Sequence, residues 1–139
     1  MRQALEVAAL SAVTARTAGA VAAVGFVLVA SFQGALALGA PWGRAAWGGA
    51  HRRLPTGLRI ASAFAVVLWL VAALLVVARA GYDWSPVPAG TARWGTWVLF
   101  GLLVLGTLMN LASRSMVERL IQTPVAAVLA ILCLLVALA

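Results

Sequence analysis

The sequence predicts an all-α bundle of four transmembrane helices, a fold indicated by its composition and by the spacing of its charges. Apolar residues make up 65% of the 139 residues and charged residues only 9%, whereas soluble domains average about 45–50% and about 25%. A chain this short has too little interior to hide so much apolar surface from water. It is also far too apolar to be disordered. The charges are so sparse that they leave four charge-free intervals: 17–43, 60–78, 94–113 and 120–139.

Each interval is long enough for one membrane-crossing helix, which needs about 20 mainly apolar residues. Lipid offers no hydrogen-bond partner to the backbone, so helices are required, and the period-two alternation of a membrane β-barrel is absent. Trimming the intervals at their prolines predicts a single membrane domain with spans 17–39, 58–79, 94–113 and 123–139.

The first 16 residues precede the first span and need a separate interpretation. Glu6 interrupts what would be the apolar region of a signal peptide, although Ala18–Ala20 leaves a cleavage site open as an alternative. We favour a helix over residues 3–15 that leads into span one. A continuous helix over 3–39 would be about 55 Å long, so residues 1–16 are predicted to lie at the interface or to protrude.

Three loops join the spans: loop one (40–57), loop two (80–93) and loop three (114–122). Four glycines and two prolines prevent a long helix in loop one, which we place on the membrane surface. Tryptophans favour the headgroup layer, and the predicted interfacial anchors are Trp42, Trp47, Trp84, Trp94 and Trp97.

Loop three carries local helix signals. Ser115 and Glu118 fit a capping box, and Thr123 followed by Pro124 fits an N-cap with proline at the first helical position. If residues 114–119 are helical, Arg114 and Glu118 lie one turn apart and are predicted to pair.

Among the uncharged polar residues inside the predicted spans, the informative ones are Gln33, Ser62 and Asn110. At 1.5 Å per residue, all three fall within about 10 Å of the surface that bears loops one and three. They either bridge neighbouring helices by hydrogen bonds or line a small polar cavity that opens toward those loops. With an interior placement, leucine at Gln33 or Asn110 is expected to lower the thermal stability.

The ten arginines, with no lysine among the basic residues, carry the functional prediction. Their spacing along the chain is typical of membrane anchors and anionic-lipid contacts, not of a nucleic-acid surface. Guanidinium groups bind phosphate through paired hydrogen bonds. The residues predicted to bind an anionic headgroup or a partner protein are His51, Arg52, Arg53, Arg59, Arg114, Glu118 and Arg119, with Trp42 and Trp47 beside them. The alternative is that the arginines only set topology.

The sequence predicts no catalytic residue, no metal site and no cofactor. The three acids are scattered, His51 is the only histidine and Cys133 the only cysteine, so neither paired carboxylates nor a metal-ligand set can be formed. We therefore predict a non-enzymatic membrane protein that binds anionic lipid or a partner through loops one and three. The alternative is a small oligomeric transporter or channel-like carrier, and a third interpretation makes His51 the base of a lipid-modifying enzyme.

Charge bias predicts the orientation. Six arginines flank loops one and three, and four lie on the other side. The positive-inside rule places loops one and three in the cytoplasm and both termini outside. The arginine-only, alanine-rich composition suggests a bacterium of high genomic GC content, and hence a multi-pass protein of its inner membrane.

Two segments carry a resemblance. Residues 38–56 and 113–119, followed by Thr123 and Pro124, resemble small bacterial four-helix membrane proteins of unknown function, and the topology is similar to that of DoxX-like proteins. The resemblance implies a four-helix bundle over nearly the whole chain and transfers no activity. Bundles of the sterol-isomerase group rely on intramembrane acids, which this chain lacks.

Overall fold

A computed structural model describes all 139 residues and contains only helices, turns and loops. Four of its helices are long and apolar enough to cross a membrane, which confirms the predicted all-helical architecture. They are α1 (Arg2–Ala37), α2 (Thr56–Arg79), α3 (Ala89–Leu111) and α4 (Thr123–Leu138). Two 3₁₀ turns, Gly43–Ala45 and Trp47–Gly49, lie in loop one, and a π-helical turn, Glu118–Gln122, leads into α4.

Glycine and proline set the helix boundaries. Gly39 and Gly81 have φ values of 95° and 84°, and each follows a helix whose last carbonyls accept bonds from the next amides, a Schellman motif. Helices α2 and α3 begin directly after Pro55 and Pro88. Proline has no N–H and restricts the residue before it, so a helix does not extend to the N-terminal side of Pro88. Helix α3 therefore begins at Ala89, five residues before the predicted start at 94.

Helix α1 runs without interruption for 36 residues, about 54 Å at 1.5 Å per residue. Residues 2–14 are all exposed, and Ala15 is the first buried position. The Arg16 guanidinium donates a hydrogen bond to the Gly81 carbonyl (2.9 Å) and lies 4.5 Å from the centre of the Tyr82 ring. The helix therefore passes loop two and continues beyond it.

The helices form a ring in chain order, with α1 packed against α2 and α4, and α3 packed against α4 and α2. Loops one and three lie at one end of this ring, which we call the loop-one end. Loop two and both termini lie at the other, the loop-two end. There Arg79 donates a hydrogen bond to the Ala137 carbonyl (3.0 Å) near the end of α4.

The buried core occupies the half of the bundle nearest loop two. Its largest members include Phe26, Val76, Leu99, Leu129 and Val136. Helix α3 has no buried residue after Leu103, and α4 has none before Leu129. A second, small buried cluster of Leu36, Ala46 and Leu54 holds the base of loop one against α1. The middle of the loop-one half is therefore not filled by side chains.

The local signals in loop three are realised only in part. The Glu118 N–H donates to the Ser115 hydroxyl (3.3 Å), as a capping box requires, but the Glu118 carboxylate does not return to Ser115. The prediction that Thr123 is an N-cap is wrong: Thr123 has helical φ and ψ angles of −59° and −55°, and its hydroxyl donates to the Glu118 carbonyl. The π turn joins loop three to α4 without a break, so no capping residue is needed.

Candidate functional site

A buried carboxylate joins loop one to loop three. Glu118 is only 5% exposed. Its Oε1 accepts a hydrogen bond from the Gly48 N–H (2.9 Å), and its Oε2 accepts one from the Ser113 hydroxyl. These two donors, rather than the predicted ion pair with Arg114, hold the carboxylate. The glutamate thus connects two segments 70 residues apart in the chain.

Two further side chains of the same region bind backbone carbonyls of loop one. The Ser115 hydroxyl donates to the Arg44 carbonyl (2.6 Å), and the Gln122 amide donates to the Ala45 carbonyl (3.2 Å). Gly49 lies so close to loop three that a Cβ there would come within 2.7 Å of the Ser115 Cβ. Loop one is consequently bound to loop three mostly through the backbone atoms of loop one.

The tip of loop one has an uncommon backbone conformation. Trp47, Gly48 and Gly49 have φ values of 55°, 80° and 72°. Glycine adopts this region freely, but a bulky residue such as tryptophan is strained there by roughly 1–3 kcal/mol. The Trp47 indole N–H donates to the hydroxyl of Ser62 (3.0 Å), which is fully buried in α2. Trp47 therefore folds back onto the helices and is not simply a headgroup anchor.

A cavity of about 630 Å³ lies beneath this junction, in the half of the bundle that has no packed core. Its apolar wall comes from all four helices and includes Val29, Trp69, Leu103 and Leu129. Its polar lining is concentrated near the loops and consists of Gln33, Asn110, Ser113, Arg114, Glu118 and Gln122. The cavity is thus apolar toward the centre of the bundle and polar toward the loop-one end.

Gln33 and Asn110 both line this cavity. The Gln33 Oε1 is buried without a hydrogen-bond partner, so the glutamine does not bridge helices through that atom. Of the two interpretations derived from the sequence, the polar cavity describes these two residues better. Ser62 has a different role, because its hydroxyl holds Trp47.

The predicted arginines lie in different surroundings. Arg114 lines the cavity. Arg59 donates to the Ala37 carbonyl (2.8 Å) at the end of α1, and the Arg119 guanidinium lies 3.9 Å from the sulfur of Met116. His51, Arg52 and Arg53 are exposed in loop one and are not part of the cavity wall.

The tryptophans also differ in their contacts. Trp42 stacks on Phe32 of α1 with ring centroids 6.5 Å apart, and Trp84 packs beside Tyr82 at 6.4 Å. Trp97 meets Phe100 edge-on at 6.1 Å, while Trp94 is 72% exposed. Trp42 lies at the loop-one end, whereas the loop-two end holds Trp84, Trp94 and Trp97.

Sequence reasoning missed several residues of the site. Ser113 and Gln122 bind Glu118 and Ala45, and Trp69, stacked on Phe26 at 5.7 Å, forms part of the cavity wall. The four-residue spacing of Glu118 and Gln122 was an available signal, because it places both on one helical face. No group of three histidine, cysteine, aspartate or glutamate side chains is placed to hold a metal ion.

Comparison with protein-family models, with curated proteins and with solved structures gave no match. The resemblance to small bacterial four-helix proteins therefore stays a prediction.

Proposed function

We propose that the chain is an integral membrane protein that binds an amphipathic anionic molecule, such as an anionic phospholipid, in the cavity at the loop-one end. The observation that carries the proposal is the division of the cavity into an apolar wall and a polar end that includes Arg114. The apolar part of the ligand would lie between the helices, and its headgroup would lie near the loops. This role is binding rather than catalysis.

The size and lining of the cavity support a ligand of this class. Small-molecule sites in proteins have volumes of about 300–1,000 Å³, apolar walls and a few polar groups that fix orientation. The cavity of about 630 Å³ falls within that range, and 13 of its 21 lining residues are hydrophobic.

Charge supports an anionic headgroup. Arg114 is the one basic residue of the cavity wall, and the negative charge nearest to it in sequence, Glu118, is already bound by Gly48 and Ser113. A guanidinium offers paired donors to a phosphate group. The other arginines of loops one and three add a general attraction of about 1 kcal/mol each near an anionic leaflet.

The proposed location is the inner membrane of a bacterium, with loops one and three in the cytoplasm and both termini outside. The proposed partner is the anionic lipid of that leaflet. The chain would bind it as a single copy, as a homo-oligomer or as part of a larger membrane complex. The carrier alternative requires a path to the other side, and the packed core of the loop-two half closes the cavity in that direction.

The test is binding of fluorescent phosphatidylglycerol to the purified protein in micelles, with phosphatidylcholine of the same label and chains as the neutral comparison. Arg114→Gln should weaken phosphatidylglycerol binding about tenfold, the value of one hydrogen bond between charged groups. Arg119→Gln makes the same charge change outside the cavity, and in a micelle of neutral detergent, which has no anionic leaflet, it should leave the Kd unchanged. Ala126→Leu, which fills the cavity, should weaken binding of both lipids.

Three outcomes would contradict the proposal or modify it. Equal affinity for the two lipids would exclude an anionic ligand. An equal loss of phosphatidylglycerol affinity in Arg114→Gln and Arg119→Gln would mean that the lipid is attracted by the charged surface and not bound in the cavity. Movement of the labelled lipid from one leaflet to the other, in vesicles that contain the protein, would favour the alternative function as a carrier.

A further inference from the structure

The tip of loop one covers part of the cavity and is held differently from the rest of the loop. We call Trp47–Gly49 the flap. Trp47 and Gly48 line the cavity, and both are exposed on their other side. The base of the loop is fixed, because Ala46 is buried with Leu36 and Leu54, and the Gly43 N–H donates to the Arg52 carbonyl (2.9 Å).

Each residue of the flap is attached to a different element. Trp47 binds Ser62 of α2 through its indole, Gly48 binds Glu118 of the π turn through its backbone, and Gly49 rests against Ser115. None of the three flap residues is buried. Hydrogen bonds to Ser62 and Glu118 and a contact with Ser115 therefore hold a flap that is only partly covered by its neighbours.

The backbone of the flap favours release. Three consecutive residues have left-handed φ values, and the first of them is a tryptophan. Left-handed backbone is unfavourable for tryptophan, so this conformation persists only while its surroundings hold it. Breaking the bonds to Ser62 and Glu118 would let Trp47 return to an ordinary backbone conformation and move its indole away from the cavity.

We infer that the flap is a gate to the cavity, and that its hydrogen bonds to Glu118 and Ser62 hold it closed. The inference rests on the proposed function, since it says how the ligand of that cavity reaches it from the loop-one side. The closed flap narrows the opening of the cavity toward the loop-one end, and the open flap admits or releases the ligand. Glu118 suits this role because its carboxylate both borders the cavity and holds the flap.

The gate can be tested without any ligand. In a Cys133→Ala background, Ala126→Cys places one thiol in the cavity wall, and its rate of labelling by a charged, water-soluble methanethiosulfonate reagent reports access. Ser62→Ala and Glu118→Ala should each raise that rate about fivefold, the factor that one hydrogen bond of average net strength represents. Thr96→Val removes a buried hydroxyl that bonds only within α3 and should leave the rate unchanged. Equal rates in all four proteins would overturn the gate.

A reversible cross-link supplies the second test and separates the gate from the proposed function. Gly49→Cys with Ser115→Cys, again without Cys133, joins the flap to loop three. The two Cβ positions lie 2.7 Å apart and Gly49 has a φ of 72°, so the flap must move outward by about 1 Å and adjust its backbone to accept the disulfide. Oxidation should slow the exchange of bound fluorescent phosphatidylglycerol at least tenfold, and reduction should restore it. Exchange at the same rate in both states would overturn the gate and leave the binding site standing. Absence of binding in the reduced and the unmodified protein would overturn both.

Discussion

Glu118 shows how a buried charge can be tolerated at the end of this bundle. Removing a carboxylate from water is unfavourable unless hydrogen bonds replace its hydration. Here a backbone N–H from Gly48 and a hydroxyl from Ser113 supply those bonds, one to each oxygen. Because the Gly48 donor belongs to loop one, the same interaction that satisfies the carboxylate also fixes loop one relative to loop three.

Gln33 presents the opposite case, a buried polar atom without a partner. Its Oε1 has no hydrogen bond, and an unsatisfied buried acceptor destabilises a protein by about 1–3 kcal/mol. Gln33→Leu should therefore raise the melting temperature in detergent, the reverse of the loss expected from sequence for a glutamine in the interior. Asn110→Leu is the matched comparison, because Asn110 lines the same cavity without a buried unpaired atom, and it should change stability less. A lower melting temperature for Gln33→Leu would indicate that the Gln33 side-chain amide accepts a stabilising hydrogen bond in the purified protein.

At the scale of elements, close approach of helices depends on small residues at the crossing of α1 and α2. A Cβ added at Gly19 would overlap the Cβ of Ala80. That atom is attached directly to the backbone, so relief requires one helix to move. At Gly25, by contrast, the obstacle is the flexible end of Leu129, which a rotamer change can displace.

This difference predicts the effect of alanine substitutions. Gly19→Ala should lower the free energy of unfolding by about 1–3 kcal/mol, the usual effect of overpacking. Gly101→Ala is the control, because nothing lies within 4 Å of its added Cβ. It should be neutral or stabilise by up to about 1 kcal/mol through helix propensity. Thermal or denaturant unfolding in micelles measures both, and equal effects would mean that α1 and α2 are not in close contact at Gly19.

The helices could be predicted from sequence to within a few residues because membrane thickness and charge placement are strong constraints on this chain. The placement of loops one and three at one end of the bundle could also be predicted, since an even number of crossings separates them. The contacts between these loops could not. Ser115 and Glu118 were expected to satisfy each other locally, but Gly48, distant in sequence, takes the carboxylate. Likewise, nothing local indicates that Trp47 bonds to Ser62, or that the core stops at Leu103 and leaves a cavity.

For the whole molecule, the arrangement of charge predicts the orientation. Arg44, Arg52, Arg53, Arg59, Arg114 and Arg119 belong to the loop-one end, and Arg2, Arg16, Arg79 and Arg93 to the other. With loops one and three in the cytoplasm, a reporter that works only in the cytoplasm should be silent when fused after Ala139. The same reporter inserted at Gly48 should be active. Strong signal from the fusion after Ala139 would reverse the orientation and put the cavity on the outer side.

The uneven packing of the bundle also has an electrical consequence. Water can approach the cavity at the loop-one end, whereas the core around Phe26, Val76 and Val136 is closed. A transmembrane voltage would then fall mainly across the packed half. An anion held at Arg114 would experience little of that voltage, so its binding should be nearly independent of membrane energisation. A charge forced through the packed half would work against almost the full field, about 2.3 kcal/mol per 100 mV.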